Sequence, residues 1–126
     1  MKKTVIVGAT TNSSRYAYLA AELLTNHKHE IVLLGIKKGE VFGKSILNIR
    51  EKPAIPDVDT ITLYIGSKHQ PEWYEYLIGL KPKRIIFNPG TENTDFEKMA
   101  VAAGIEAIEA CTLVMLGTGQ YANSTP

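Results

Sequence analysis

Short runs of Val, Ile and Leu alternate along the chain with segments whose apolar residues recur every three or four positions. The sequence therefore predicts an α/β fold, doubly wound and Rossmann-like, with a mainly parallel sheet between two layers of helices. Two observations support this prediction. Val5-Ile6-Val7 and Ile31-Val32-Leu33-Leu34 are continuously apolar, as strands buried on both faces must be. The segments joining the strands are long enough for helical crossovers, which are right-handed between parallel strands.

The elements follow in order. The strand at Val5 to Val7 ends at Gly8, and a polar stretch runs from Thr10 to Ser14. Tyr16, Leu19, Ala20, Leu23 and Leu24 then mark an amphipathic helix ending near Asn26-His27, with Thr11, Asn12, Ser13 and Ser14 as candidate N-caps. Glu30 to Gly35 is the second strand. Lys37-Lys38-Gly39 reads as a turn, and Ser45 to Ile49 as a short edge strand. Pro56-Asp57-Val58-Asp59 introduces a strand at Ile61 to Ile65. Pro71 suits the first turn of a helix through Trp73, Leu77 and Ile78, ending near Gly79. Arg84 to Phe87 is a strand closed by the turn Asn88-Pro89-Gly90. Glu92 to Ala103 is a helix stopped by Gly104, and Ile105 to Ile108 is the last strand.

The chain of 126 residues suits one domain, expected over 1–122, with 123–126 as a frayed tail. A formal net charge of +1 provides no basic surface to attract nucleic acid or an anionic membrane. Cys111 is the single cysteine, which excludes an internal disulfide and suits a reducing cytoplasm. The apolar run after Lys2-Lys3 stops at Gly8, too soon for a signal peptide, and no stretch approaches the ~20 apolar residues of a membrane helix.

In such sheets the ligand sits beyond the carboxyl ends of the strands. That rule selects the loops after Val7, Leu34, Ile65 and Phe87. The first, Gly8-Ala9-Thr10-Thr11-Asn12-Ser13-Ser14-Arg15, has the strongest local signal. Gly8 turns the chain off the strand, the helix start offers free N–H groups and a positive dipole end, and Arg15 adds a cation. The plainer alternative is a well-capped helix start. Only one glycine of the G-x-G-x-x-G dinucleotide pattern is present. The second strand ends in Gly35-Ile36-Lys37-Lys38, where an NAD site would place Asp or Glu for the ribose hydroxyls. Two lysines favour a ribose that carries a further phosphate, as in coenzyme A (CoA) with its 3′-phosphate, or NADP. The alternative is a solvated lysine turn.

Several motifs in fixed order add to this. They are Val-Ile-Val-Gly-Ala-Thr at 5–10 with Ser14-Arg15-Tyr16 behind it, the lysine turn, Pro56-Asp57-Val58-Asp59, Asn88-Pro89-Gly90-Thr91, Ala103-Gly104 and Cys111. With them the chain resembles, from Lys3 to about Leu116, the small CoA-binding proteins related to the N-terminal domain of the succinyl-CoA synthetase α-subunit. The resemblance implies that Gly8 to Arg15 hold the pyrophosphate side of CoA and that Lys37 or Lys38 meets the 3′-phosphate. It also implies that Tyr64, Ile65, Gly66 and Ser67, with Asn88, Pro89, Gly90 and Thr91, line the pantetheine path. The chain departs from its relatives at Gly35-Ile36, where they often have Asn-Pro. It departs again at Leu113 to Tyr121, which replaces a charged segment with His and Arg.

No catalytic set emerges from the remaining chemistry. Cys111, flanked by Ala110 and Thr112 and followed by Leu-Val-Met, reads as a small buried hydrophobe rather than a nucleophile. His27 and His29 read as solvated residues at a helix end, and their spacing does not suit a metal pair. His69 is the one histidine near the expected site, without an identifiable partner. Asp57, Asp59, Glu92 and Asp95 read as caps and turn residues. Trp73, Tyr74 and Tyr76 serve packing, or a subunit or partner-protein contact. Three functions fit: a non-catalytic module for CoA or acyl-CoA, an NADP-binding reductase-like module, and a regulatory or scaffold protein that keeps the fold without its nucleotide-like ligand.

Overall fold

The computed structural model describes residues 2–122; the expected tail at 123–126 lies outside them. Seven strands form one sheet: β1 (Thr4–Val7), β2 (Ile31–Gly35), β3 (Glu40–Val41), β4 (Lys44–Asn48), β5 (Thr60–Leu63), β6 (Arg84–Phe87) and β7 (Glu106–Glu109). Their spatial order is β3-β4-β2-β1-β5-β6-β7. All pairs are parallel except β3 with β4, which form a hairpin. The six parallel strands have the order of a doubly wound dinucleotide fold, and the chain reverses direction across the sheet at β1.

Four α-helices flank the sheet: α1 (Tyr16–Asn26), α2 (Tyr74–Gly79), α3 (Thr94–Ala102) and α4 (Thr112–Gly117). Strand alternation sends Val5, Val7, Ile61, Leu63, Ile85 and Phe87 into one core with Leu77, Phe96 and Ala100. Ile6, Leu33 and Ile86 enter the other, against Ala17, Ala20, Leu24, Met115 and Leu116. Burial on both faces explains why Val5 to Val7, Ile31 to Leu34 and Ile85 to Phe87 are continuously apolar in sequence.

Several expected boundaries move. The fourth strand is not the edge, because the two-residue β3 lies outside it and only Val41 of that strand is buried. The helix expected from Pro71 opens as a 3-10 turn over Pro71–Trp73 before α2 begins. Helix α3 starts at Thr94 rather than Glu92, because the Asn93 side chain accepts from the Phe96 N–H at 3.1 Å while Glu97 accepts from the Asn93 N–H. Strand β7 runs from Glu106 to Glu109. Helix α4, unforeseen in the sequence, overlaps the Leu113–Tyr121 departure segment and packs on α1.

Part of the sheet face that carries Ile6, Leu33 and Ile86 is polar. Arg84, only 2% exposed, donates from Nε to Thr60 Oγ1 at 2.7 Å and from Nη2 to the Tyr121 carbonyl at 2.8 Å. Its guanidinium lies 4.3 Å from the centre of the Tyr121 ring. The Tyr121 hydroxyl bonds the Thr4 hydroxyl at 2.6 Å, so residues 117 positions apart close this seam. His29 packs edge-on to Tyr121, with ring centres 5.0 Å apart, and accepts at Nδ1 from the Lys2 N–H at 3.0 Å. It is therefore buried rather than solvated, because the turn after α1 folds it under the sheet.

Replacing Tyr121 with Ala removes a buried ring and uncovers Arg84, and is expected to cost about 3–5 kcal/mol. Tyr121→Phe loses only the bond to Thr4, about 1 kcal/mol. Denaturant midpoints of both variants measure the difference. Burial, reinforced by the positive charges of His27, Arg84 and Lys2, lowers the His29 pKa below the usual 6.5. The unfolded chain then binds a proton more readily than the folded one, so this contribution is complete above the unfolded value and is lost as pH falls below it. Stability is expected to decline from neutral pH toward pH ~5, and less steeply in His29→Asn. Melts across that window check the slope.

Candidate functional site

The loops after β1, β2, β5 and β6 open onto one cleft of about 700 Å³, a volume suited to a small-molecule ligand. Two glycines bring its walls together. Gly8 has φ +98°, and a Cβ there would lie 3.1 Å from Ile65 Cγ2 and 3.2 Å from the Tyr64 carbonyl. A Cβ on Gly35 would lie 3.0 Å from the Ala9 oxygen. The Leu34 carbonyl accepts from both Gly8 N–H, at 2.8 Å, and Ala9 N–H, at 3.2 Å. Three strand ends thus meet at backbone contact.

The first loop holds its own shape. Thr10 Oγ1 accepts from the Asn12 N–H at 3.1 Å, and Asn12 Oδ1 accepts from the Ser14 N–H and hydroxyl at 3.0 and 2.7 Å. None of Thr11, Asn12, Ser13 and Ser14 is the N-cap expected from the sequence. Arg15 occupies that position in extended backbone, with no side-chain capping bond, because the polar side chains before it are turned into the loop. The first turn of α1 contains no acidic residue. Its positive end therefore lies open beside Gly8, where Arg15, Tyr16 and the small Ala17 line the cleft.

Of the residues singled out in the sequence, Gly8, Ala9, Thr10, Asn12, Arg15, Gly35, Ile36, Lys37, Tyr64, Ile65, Gly66, Pro89, Gly90 and Thr91 are brought together around this cleft. Thr11, Ser13, Ser14, Lys38, Ser67 and Asn88 are not among its lining. Lys37 and Lys38 are both exposed, but only Lys37 faces the cleft. His69 lines it as well, with Glu72 and Trp73 from the turns before α2, and Ile49 and Arg50 from the 3-10 turn Ile49–Glu51 after β4. Among the described residues no cluster of His, Cys, Asp or Glu is arranged to hold a metal ion, and no helix is long and apolar enough to cross a membrane.

A family model described as a CoA binding domain matches residues 2–117. The chain belongs to this CoA-binding domain family. No curated protein matches it significantly. Among solved structures it is similar to a crystal structure of an uncharacterized protein, at 55% identity over 96% of this chain and 98% of that one, with a TM-score of 0.93. It is also similar to a hypothetical protein from Pyrococcus horikoshii OT3, at 24% identity over 93% and 82% of the two chains and a TM-score of 0.80. A third, cell-free ID.343 from Thermus thermophilus, is 18% identical over 95% and 90%, also with a TM-score of 0.80. At the two lower identities the likeness is one of fold.

In this CoA-binding domain the cleft floor rests on buried polar residues, of which Gln70 was not singled out in the sequence. Gln70 is fully buried, and its Nε2 donates to the Ile65 and Thr91 carbonyls at 2.9 and 2.8 Å, tying the loop after β5 to the loop after β6. Its Oε1 accepts from Asn93 Nδ2 at 2.8 Å. Asn88 donates to Thr62 Oγ1 and the Leu63 carbonyl, and accepts from the Thr112 N–H that starts α4. Its side chain is thus committed to holding the turn rather than free for a ligand. The Tyr64 hydroxyl is buried near Thr62 and Thr112, which bond each other at 2.7 Å and leave it without a hydrogen bond; burial pushes its pKa up to about 12. A signal for this network existed: Thr60 and Thr62 alternate with Ile61 and Leu63, so their hydroxyls point into a core that must satisfy them.

Gln70→Leu is expected to destabilise the fold by about 1–3 kcal/mol for each buried group it leaves unpaired. Gly8→Ala should cost about 1–3 kcal/mol through strain at a positive φ, with the contact to Ile65 added to it. Urea titrations measure both.

Proposed function

We propose that the cleft binds CoA or an acyl-CoA, as a binding module rather than a catalyst. The observation that supports this best is the pairing of an uncapped, acid-free start of α1 with Lys37 at the exit of β2. The first suits a pyrophosphate, because unpaired N–H groups and the helix dipole meet its charge. The second suits a phosphate on the ribose, and the position holds no carboxylate to favour an unmodified diol. The residues fit such a ligand sterically as well, since the small Ala17 leaves the start of α1 open to phosphate oxygens. Arg15 is placed to meet the pyrophosphate, and Tyr64 to Gly66 with Pro89 to Thr91 form the wall for a pantetheine arm. A single half-buried cysteine, Cys111, and a CoA ligand suit the cytoplasm.

At ~100 times its dissociation constant, CoA should stabilise the protein by roughly 2.7 kcal/mol, a melting shift on the order of 10 °C. Dephospho-CoA and NAD should give clearly smaller shifts. NADP in the same panel tests the reductase-like alternative. Arg15→Ala is expected to weaken CoA about tenfold, by calorimetry, without altering the melt of the free protein. No measurable CoA binding by the wild type at millimolar ligand would overturn this function.

A further inference from the structure

The sequence offers Lys37 and Lys38 as a pair for the ribose phosphate, yet only Lys37 lines the cleft. The second cation comes from another strand. Strands β2 and β4 are parallel neighbours, with Gly35 opposite Asn48. Lys37 lies two residues beyond Gly35, and Arg50 two residues beyond Asn48. The two residues therefore lie just past the ends of adjacent strands at the same edge of the sheet, and both line the cleft.

The backbone at Arg50 is held in place. Asn48 Oδ1 accepts from the Arg50 N–H at 3.0 Å, the Ile49 carbonyl accepts from the Lys52 N–H at 2.9 Å, and Ile49 itself is buried. This anchoring turns the Arg50 side chain outward, where it is exposed. Among the described residues neither Arg50 nor Lys37 is ion-paired. The one carboxylate in the cleft lining is Glu72, which follows β5 on the far side of β1. Two unpaired cations at one end of a cleft, with the acid at the other, form a site for a dianion.

We propose that Arg50 is the second phosphate-binding cation of the cleft and sets its preference for a ribose bearing a phosphate monoester. The assignment rests on the CoA-binding function proposed above. The guanidinium fork engages two phosphate oxygens while Lys37 supplies a point charge from the neighbouring strand. Lys38, one residue further along the same turn, contributes no contact.

Calorimetry with CoA and dephospho-CoA on wild type, Arg50→Ala, Arg50→Lys and Lys38→Ala tests this. Arg50→Ala is expected to weaken CoA about tenfold and dephospho-CoA by less than about twofold, which collapses the wild-type preference. Arg50→Lys should fall between, because it keeps the charge and loses the fork. Lys38→Ala removes the same net charge and should leave the preference intact, separating contact from general electrostatics. Arg50→Gln, checked by its melting curve, replaces Arg50→Ala if that variant folds poorly. An undiminished preference in the Arg50 variants, or an equal loss in Lys38→Ala, overturns the assignment of Arg50 while CoA binding stands. Failure of the wild type to bind CoA overturns both.

Discussion

Everything at the carboxyl edge of the sheet depends on how closely three strand ends approach one another. Gly8 touches the end of β5, and Gly35 touches the backbone just after Gly8. With side chains at these positions the loops would stand apart, and the space between them would be a shallow surface instead of a cleft. The shared acceptor at Leu34 fixes the same geometry by hydrogen bonding. The close approach also carries the start of α1, with its unpaired N–H groups, to the mouth of the cleft.

Most of the framework was legible in the sequence for one reason. A strand covered by helices on both faces tends to be apolar along its length, so β1, β2 and β6 were evident as short hydrophobic runs. Elements outside that rule were harder to read. Strand β3 has two residues and one buried side chain, too little for any periodicity. Helix α4 opens with a buried Thr112 bonded to Asn88 and Thr62, a role that only the tertiary structure assigns. At α1, four capping residues in succession made each a plausible start, and hydrogen bonds inside the loop moved the cap to Arg15.

The same division holds for the cleft. The loops following consecutive strands could be chosen because position in a doubly wound sheet dictates where ligands lie. Arg50, Gln70 and Trp73 could not, since their nearness to those loops follows from strand register and from turns without a sequence period. Gln70 illustrates the difficulty: an amide next to a proline looks like a surface residue, yet it joins two loops from inside.

The seam formed by Thr4, Arg84 and Tyr121 has a consequence for the order in which the molecule assembles. Strand β6 brings a guanidinium into the sheet, and that cation stays hydrated until Tyr121 covers it. Water can therefore leave the surroundings of Arg84 only when Tyr121 packs, in a contact spanning 117 positions. Once the strands between Thr4 and Tyr121 have paired, the chain left to close is only the short segment after α4. A nascent chain that has made every strand but not yet reached Tyr121 would hold a nearly complete sheet with Arg84 still wet.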